Sequence, residues 1–344
     1  MRATHPLRLP TSCTLRRLSA LTVVTLALTI SSCSLREGTQ SLAITSLTAR
    51  EADAVKPQDS ISDMDNQPLS TASGVVTMST SYVAGGIGST AKEMATTVVS
   101  RERSTDKFQW AVSIKPAVAD QERTEYTNSA QSAMNNAMGR SSTGSVVVSP
   151  NGRHLSLILL PAEQQAGESA ADLRTHIVVL EAKTGKTVRD ATVSGIVLGQ
   201  ALTNSSLVVE TAQNYFPAGS GKGILTTFSL TDASAQPFSF PTDKWLVGAT
   251  RENLVLAPNR LPDDCVYGCS LTTVSLVSTE GTTTKSVSGV TAVHPGGWIH
   301  RFADPKAASA LHLRSKAATE EERKAISSSW ETLEQQLVNP SIKK

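Results

Sequence analysis

This chain of 344 residues contains four cysteines. Whether a cysteine forms a disulfide, binds a metal or carries a lipid depends on the residues around it. Cys265 and Cys269 lie four positions apart, with Gly268 between them. A turn at Gly268 could bring their Cα atoms within the roughly 4.4–6.8 Å that a disulfide needs. A metal site needs more ligands than this pair offers. In an oxidising compartment we therefore predict a disulfide, with a free or metal-bound pair as the alternative.

Cys33 lies at the end of an apolar run that follows a basic N-terminus. Residues 1–17 contain four arginines and no acidic residue, and the apolar run extends from Leu18 to Ile30. A helix of that length rises only about 20 Å, which is too short for a hydrocarbon core of about 30 Å. It fits the apolar core of a signal peptide, which has about 7–15 residues.

The segment Ile30-Ser31-Ser32-Cys33 resembles a bacterial lipobox, which has an aliphatic residue, two small residues and a cysteine. The resemblance implies cleavage before Cys33 and attachment of lipid to its thiol, which would hold the chain on a membrane, facing outside the cytoplasm. An ordinary secretory leader is the alternative. The arginine pair at 16 and 17 leaves twin-arginine export open beside the general route.

The charge balance argues against a nucleic-acid partner. The whole chain has 32 basic and 30 acidic residues, and removal of residues 1–32 with their four arginines leaves 28 and 30. No basic cluster remains that could serve as a nucleic-acid footprint.

Catalytic and metal-binding motifs were sought and not found. The segment 219–223 is similar to the end of a P-loop, but Phe216 and Gly223 stand where the motif needs glycine and a hydroxyl residue. The histidines show no metal-ligand spacing, and there is no G-x-S-x-G elbow. The sequence therefore predicts no metal, no cofactor and no enzymatic activity. The polar segment 120–136 is the region in which we would look for binding, because loops often carry binding sites.

The body of the chain has the pattern of a repeated all-β domain. Residues 33–93 are rich in small polar residues and predict a flexible tether. From residue 94 to 304, short apolar or alternating runs are separated by turn residues. Leu155, Leu207, Leu254 and Trp298 follow such turns at spacings of 52, 47 and 44. A second series, Val178, Leu225 and Thr272, has two spacings of 47. This period is typical of a four-stranded β-propeller blade, whereas another all-β fold such as a sandwich has no reason to repeat.

Two segments resemble known propeller repeats. The segment 148–155, with Pro150 and Gly152, is similar to the S-P-D-G-K-x-L turn of WD40-like propellers. The segment 179–186 is similar to the A-L-D-A-K-T-G-K stretch of PQQ-like repeats, and its matching residues include Thr184, Gly185 and Lys186. In that family a tryptophan three residues after the lysine docks on the neighbouring blade. Here that position holds Arg189, whereas Trp110 has the expected spacing from Lys107 in an earlier unit.

The C-terminal residues 305–344 depart from the repeat. Ile326, Trp330, Leu333 and Leu337 have the spacing of one helix face, so we predict a helical tail. The 211 residues of the β-domain hold between four and five units of period 47. We therefore expect an incomplete propeller.

The predicted function is that of a membrane-anchored lipoprotein of the cell envelope whose propeller-like domain binds a protein or small ligand. The alternatives are a propeller enzyme, either a PQQ-type dehydrogenase or a hydrolase, and a fragment of a longer propeller.

Overall fold

The computed structural model describes residues 42–55, 68–83, 93–119, 143–160, 170–213, 223–259, 261, 271–294, 296–302, 304 and 328–333. These residues form nineteen strands in four antiparallel sheets, with a short α-helix and one turn of 3₁₀ helix at Ala170–Asp172. In this part of the chain no helix is long and apolar enough to cross a bilayer.

The first sheet has five strands, which lie in the spatial order β1-β5-β4-β3-β2. They are β1 (Ala43–Leu47), β2 (Leu69–Ser70), β3 (Val75–Val83), β4 (Glu93–Arg101) and β5 (Phe108–Lys115). Helix α1 (Ala49–Ala54) follows β1 and begins with a capping box between Thr48 and Glu51. An ion pair of 2.7 Å between Asp53 and Arg101 ties α1 to β4.

The start of the β-domain has to be corrected. The sequence analysis places a tether over residues 33–93, but β1, β2 and β3 all precede residue 94. β3 alternates core and hydroxyl side chains: Val76 is fully buried and Met78 packs on the same core cluster, whereas Thr77 and Ser79 lie on the opposite face. The β-branched threonines suit a pleated strand, so the low apolar content of this segment comes from alternation between a core face and a polar face.

The second, third and fourth sheets follow in chain order, each with its strands arranged up and down in sequence. The second sheet consists of β6 (Val146–Val148), β7 (His154–Ile158), β8 (Arg174–Glu181) and β9 (Thr187–Ser194). The third consists of β10 (Ile196–Leu202), β11 (Ser206–Ala212), β12 (Gly223–Ser229) and β13 (Phe238–Thr242). The fourth consists of β14 (Trp245–Ala249), β15 (Asn253–Ala257), β16 (Thr272–Ser278), β17 (Thr283–His294), β18 (Trp298–Phe302) and β19 (Ser328–Thr332).

The fourth sheet contains the beginning of a fifth unit. The first half of β17 pairs with β16, and its last residues pair with β18. The register shifts at Gly289, whose φ of +79° is a left-handed conformation that glycine adopts without steric cost. β17 is therefore the last strand of one unit and the first strand of the next.

The predicted helical tail is wrong where the structure describes it. Trp330 lies in β19, which pairs with the whole length of β18, and Leu333 just after it is fully buried. The unpaired backbone edge of β18 offers hydrogen bonds that a helix could not use, so tertiary pairing overrides the helical spacing. Ile326 and Leu337 lie outside the described residues.

Successive sheets pack face to face, and the first strands of the later units lie side by side. β6 contacts β10, β10 contacts β14, and β14 contacts β17. In β8, Val178 and Leu180 join a core cluster with the first sheet, while Ile177 and Val179 join one with the third. Each inner sheet is thus buried on both faces. This arrangement confirms the all-β, propeller-like fold that the sequence predicts.

A turn closed by a hydroxyl side chain recurs in all four sheets, between β2 and β3 in the first sheet and between the first two strands in each of the others. A hydroxyl oxygen accepts from the N–H that opens the second strand, in the pairs Thr71–Gly74, Ser149–His154, Thr203–Ser206 and Thr250–Asn253. Leu155, Leu207 and Leu254 follow three of these turns and are fully buried. The three leucines of the first predicted series therefore occupy equivalent positions in successive sheets, whereas Trp298 is exposed. The second series is out of register, because the strand pairing places Thr226 and Ser275, and not Leu225 and Thr272, at the position of Val178.

Candidate functional site

Several predicted site residues lie outside the part of the chain that the structure describes. They are Cys33, Cys265 and Cys269, together with the polar segment 120–136. Lipidation and the disulfide remain predictions.

The residues that resemble PQQ-like repeats lie at the interface of the first two sheets. The indole Nε1 of Trp110, on β5, donates to the carbonyl oxygen of Ala182 at 2.9 Å. The ring covers Gly185, where an added Cβ would lie 2.5 Å from indole Cε3. Thr184 accepts a hydrogen bond from the N–H of Lys186 at 3.2 Å and shapes the same turn. The arrangement docks one sheet on the next and forms no ligand site.

The WD40-like turn also joins two sheets. Gly152 adopts a φ of +68°, and a Cβ there would lie 2.5 Å from the backbone nitrogen of Ala72. The Ala72 N–H donates to the Gly152 carbonyl oxygen at 2.9 Å. Pro150 precedes this contact within the same turn. These residues also have a structural role.

Arg189 occupies the docking position in the second sheet. Its Nη1 donates to the carbonyl oxygen of Ala233 at 2.6 Å, and its guanidinium lies 5.5 Å from the centroid of the Phe228 ring. The departure from tryptophan noted in the sequence therefore preserves the contact with the next sheet. In the third sheet Phe240 occupies the equivalent position, since a Cβ added at Gly281 would lie 3.1 Å from the Phe240 ring.

A cavity of about 660 Å³ lies between the third and fourth sheets, and we call it the interblade cleft. Its apolar wall includes Phe240, Leu256 and Val277. Its polar lining residues include Gln213, Thr242, Asp243, Lys244 and Thr283. The residues of this site come from different strands and carry no local motif, so the sequence alone does not reveal it.

Lys244 is the fixed charge in the wall of the interblade cleft. The side chain is half-buried, and its Nζ donates to Ser275 Oγ at 2.9 Å. The backbone N–H and carbonyl of Lys244 both hydrogen-bond to the Thr242 hydroxyl, at 3.0 and 2.9 Å. Among the described residues, no carboxylate pairs with Lys244. The ammonium is therefore positioned by neutral partners.

A serine beside a lysine can also serve as a nucleophile with its base. Ser275 is only 3% exposed and does not line the cleft. The geometry therefore fits a serine that positions the ammonium of Lys244 better than one that attacks a substrate.

A buried carboxylate lies behind the wall of the cleft. Glu210 on β11 is 1% exposed, and its Oε2 accepts from the Leu246 N–H at 2.9 Å. Gly223 of the cleft wall lies over it, because a Cβ at Gly223 would be 3.3 Å from Glu210 Oε1. Burial of a carboxylate is costly unless hydrogen bonds compensate it. Glu210 is therefore a buried polar group at the interface of the third and fourth sheets.

Comparisons with known proteins bear on the fold alone. Neither a protein-family profile nor a curated protein sequence matches this chain. Among solved structures, it is similar to the β-propeller domain of the Trilobed protease from Pyrococcus furiosus, which is described as having an open velcro topology, with 11% identity and a TM-score of 0.35. It is also similar to the acylaminoacyl peptidase of Pyrococcus horikoshii, with 11% identity and a TM-score of 0.36. Each match covers 70% of this chain, which spans 63% of the first structure and 35% of the second.

The prediction that the chain is not an enzyme has to be corrected. It rested on missing motifs, whereas both of these structures belong to peptidases. A likeness at 11% identity gives this chain no activity of its own. The absence of a sequence motif is therefore no ground for excluding catalysis.

Proposed function

We propose that this chain is an extracytoplasmic lipoprotein, acylated at Cys33, whose propeller-like domain is a binding module with the interblade cleft as its ligand site. The observation that carries the binding role is the half-buried Lys244 in the wall of a cavity of about 660 Å³, whose ammonium donates to Ser275 Oγ at 2.9 Å.

The interblade cleft has the character of a small-molecule site. Such sites usually enclose about 300–1,000 Å³, with mainly apolar walls and a few placed polar groups. Phe240, Leu256 and Val277 supply apolar wall, and Lys244 supplies a charge fixed at both backbone and side chain. A fixed charge loses little conformational entropy when a ligand binds, which favours binding.

Membrane attachment is tested by fractionation of cells that express the full chain or its Cys33→Ala variant. We expect the unaltered chain in the membrane fraction, with an intact mass that corresponds to a lipidated chain starting at Cys33. The variant should lose the lipid mass. A soluble protein without lipid would contradict the anchoring proposal.

The binding role is tested by ligand-observed NMR on the purified full chain in detergent, with empty micelles as the blank. A set of anionic, cationic and neutral small molecules would be compared on the unaltered chain and on Thr283→Trp. Thr283 is an exposed residue of the cleft lining, so a tryptophan there should obstruct the opening without disturbing the core. Binding that the variant abolishes supports a ligand site in the cleft. If no compound binds in this way, the proposed site is refuted.

A further inference from the structure

We propose that the interblade cleft selects a monoanionic carboxylate that carries an apolar group, with Lys244 as the residue that binds the carboxylate. This inference rests on the proposed function, because it names the ligand class of the same site.

Lys244 has hydrogen-bonding capacity to offer a ligand. An ammonium has three N–H donors, and one of them donates to Ser275 Oγ at 2.9 Å. Within the described residues, no carboxylate neutralises its charge. A ligand carboxylate would supply the missing counter-charge through a charge-assisted hydrogen bond, which is stronger than a neutral one.

The wall beside the ammonium suits an apolar group. Phe240 is half-buried and lies against Gly281, while Leu256 and Val277 are buried members of the core cluster between the two sheets. Their exposed parts line the cavity. An apolar ligand group on this wall would be removed from water, and this burial favours binding.

The surrounding charges favour a single negative charge over a double one. Asp243 is an exposed residue of the cleft lining, and the Glu210 carboxylate lies behind Gly223. Asp243 places a carboxylate on the cleft lining, so a phosphate dianion would meet more repulsion there than a carboxylate monoanion. Proteins usually bind phosphate with Arg clusters or helix N-termini, and the described residues of the cleft lining include neither.

A free apolar amino acid and the C-terminal end of an apolar peptide offer the same carboxylate chemistry. Four probes separate the sources: N-acetyl-L-leucine, its neutral amide N-acetyl-L-leucinamide, L-leucine, and an N-acetylated tripeptide that ends in leucine. Isothermal titration of the full chain in detergent gives a Kd for each. Tighter binding of L-leucine than of the acetylated acid indicates an amino-acid site, and tighter binding of the tripeptide indicates a peptide end.

We expect N-acetyl-L-leucine to bind at least tenfold more tightly than its amide, since a hydrogen bond to a charged group contributes about 1.5–3 kcal/mol. Lys244→Met keeps the length of the side chain and should abolish this preference. Lys183→Met, at an exposed lysine of the turn between β8 and β9, should retain it. Equal Kd values for acid and amide, or an unchanged preference in Lys244→Met, would overturn the proposal.

Folding of each variant is checked by its thermal midpoint, and Thr283→Trp obstructs the cleft without removing the charge. The acid should fail to bind that variant, and retained binding would overturn the proposal. If carboxylates do not bind, but other compounds bind and Thr283→Trp abolishes their binding, the carboxylate inference fails and the proposed binding module stands. If no compound does so, both fail.

Discussion

The docking between the first two sheets can be tested quantitatively at the carbonyl oxygen of Ala182. It accepts two hydrogen bonds, from Trp110 Nε1 at 2.9 Å and from Ser73 Oγ at 2.7 Å, and Ala182 is 1% exposed. Trp110→Phe or Ser73→Ala alone leaves this carbonyl with one partner. Each change should therefore lose about 0.5–1.5 kcal/mol of hydrogen-bond energy, to which the tryptophan change adds lost packing.

The double variant removes both donors and leaves a buried carbonyl without a partner. That state adds a desolvation penalty of about 1–3 kcal/mol, which neither single variant shows. The loss of packing at the ring is common to both variants that lack Trp110, so it cancels in a double-mutant cycle. We therefore expect the destabilisation of the double variant to exceed the sum of the single ones by about 1 kcal/mol or more.

The assay is equilibrium urea unfolding of the full chain, followed by far-UV circular dichroism because one variant removes a fluorescent tryptophan. Equal denaturant slopes for the four proteins would show that the compared states are equivalent. If the free energies of unfolding add within about 0.3 kcal/mol, the carbonyl does not link the two donors and the docking geometry is refuted.

Three further predictions concern single side chains. Gly185→Val should destabilise the fold by about 2 kcal/mol more than Gly296→Val, although both glycines have a positive φ. The added Cβ would lie 2.5 Å from an indole carbon at Gly185, but 3.8 Å from its nearest atom at Gly296. Equal thermal midpoints would contradict this prediction. Arg189→Trp should be more stable to urea than Arg189→Leu by about 1 kcal/mol, because an indole N–H can donate to the Ala233 carbonyl. The reverse order would show that position 189 does not serve as a docking position equivalent to that of Trp110. Burial lowers the pKa of His154 from its ordinary value of 6.5, so the unfolded chain takes up the proton first and stability should fall as pH drops below that value. His154→Gln should flatten this fall in the urea midpoint, and an unchanged slope would count against it.

The sequence allowed the repeated body to be predicted because its signal is local. Leu155, Leu207 and Leu254 each follow a hydrogen-bonded turn and are fully buried, and this combination leaves a period in the sequence. The strand β10 has a weaker sequence pattern, because Gly199 and Gln200 interrupt its apolar run. Gln200 is nevertheless fully buried, since its amide donates to backbone carbonyls of the second unit.

The interblade cleft could not be predicted because it depends on contacts between distant segments. The Nζ of Lys244 and the Oγ of Ser275 are 31 residues apart in sequence, and Glu210 reaches Leu246 across 36 residues. None of these residues belongs to a motif. The repeat nevertheless points to unusual residues near the cleft. Once a leucine of one sheet is aligned with the equivalent leucine of another, the residues at equivalent positions can be compared.

That comparison shows where the chain departs from its own repeat. With Leu155 aligned to Leu207, the buried Ile158 corresponds to Glu210, three residues further on in each case. In the third strands the pairs Leu155–Leu180 and Leu254–Val277 align, so the fully buried Val178 corresponds to Ser275. Two polar residues therefore stand near one cleft where the second sheet has apolar ones, and the third sheet also has a polar residue, Thr226, at the position of Ser275. Such departures reduce stability and are typical of functional positions.

Restoration of the repeat at Ser275 separates a structural origin of the cleft from a functional one. Ser275→Val replaces a buried hydroxyl by the side chain found at Val178 and should raise the free energy of unfolding by about 1 kcal/mol. The same change removes the hydrogen bond that positions Lys244, so N-acetyl-L-leucine should bind several-fold more weakly, even though the charge remains. A variant that is more stable and binds less tightly is the outcome expected of a polar residue retained for binding. A more stable variant with unchanged affinity would show that Ser275 does not position the lysine for a ligand.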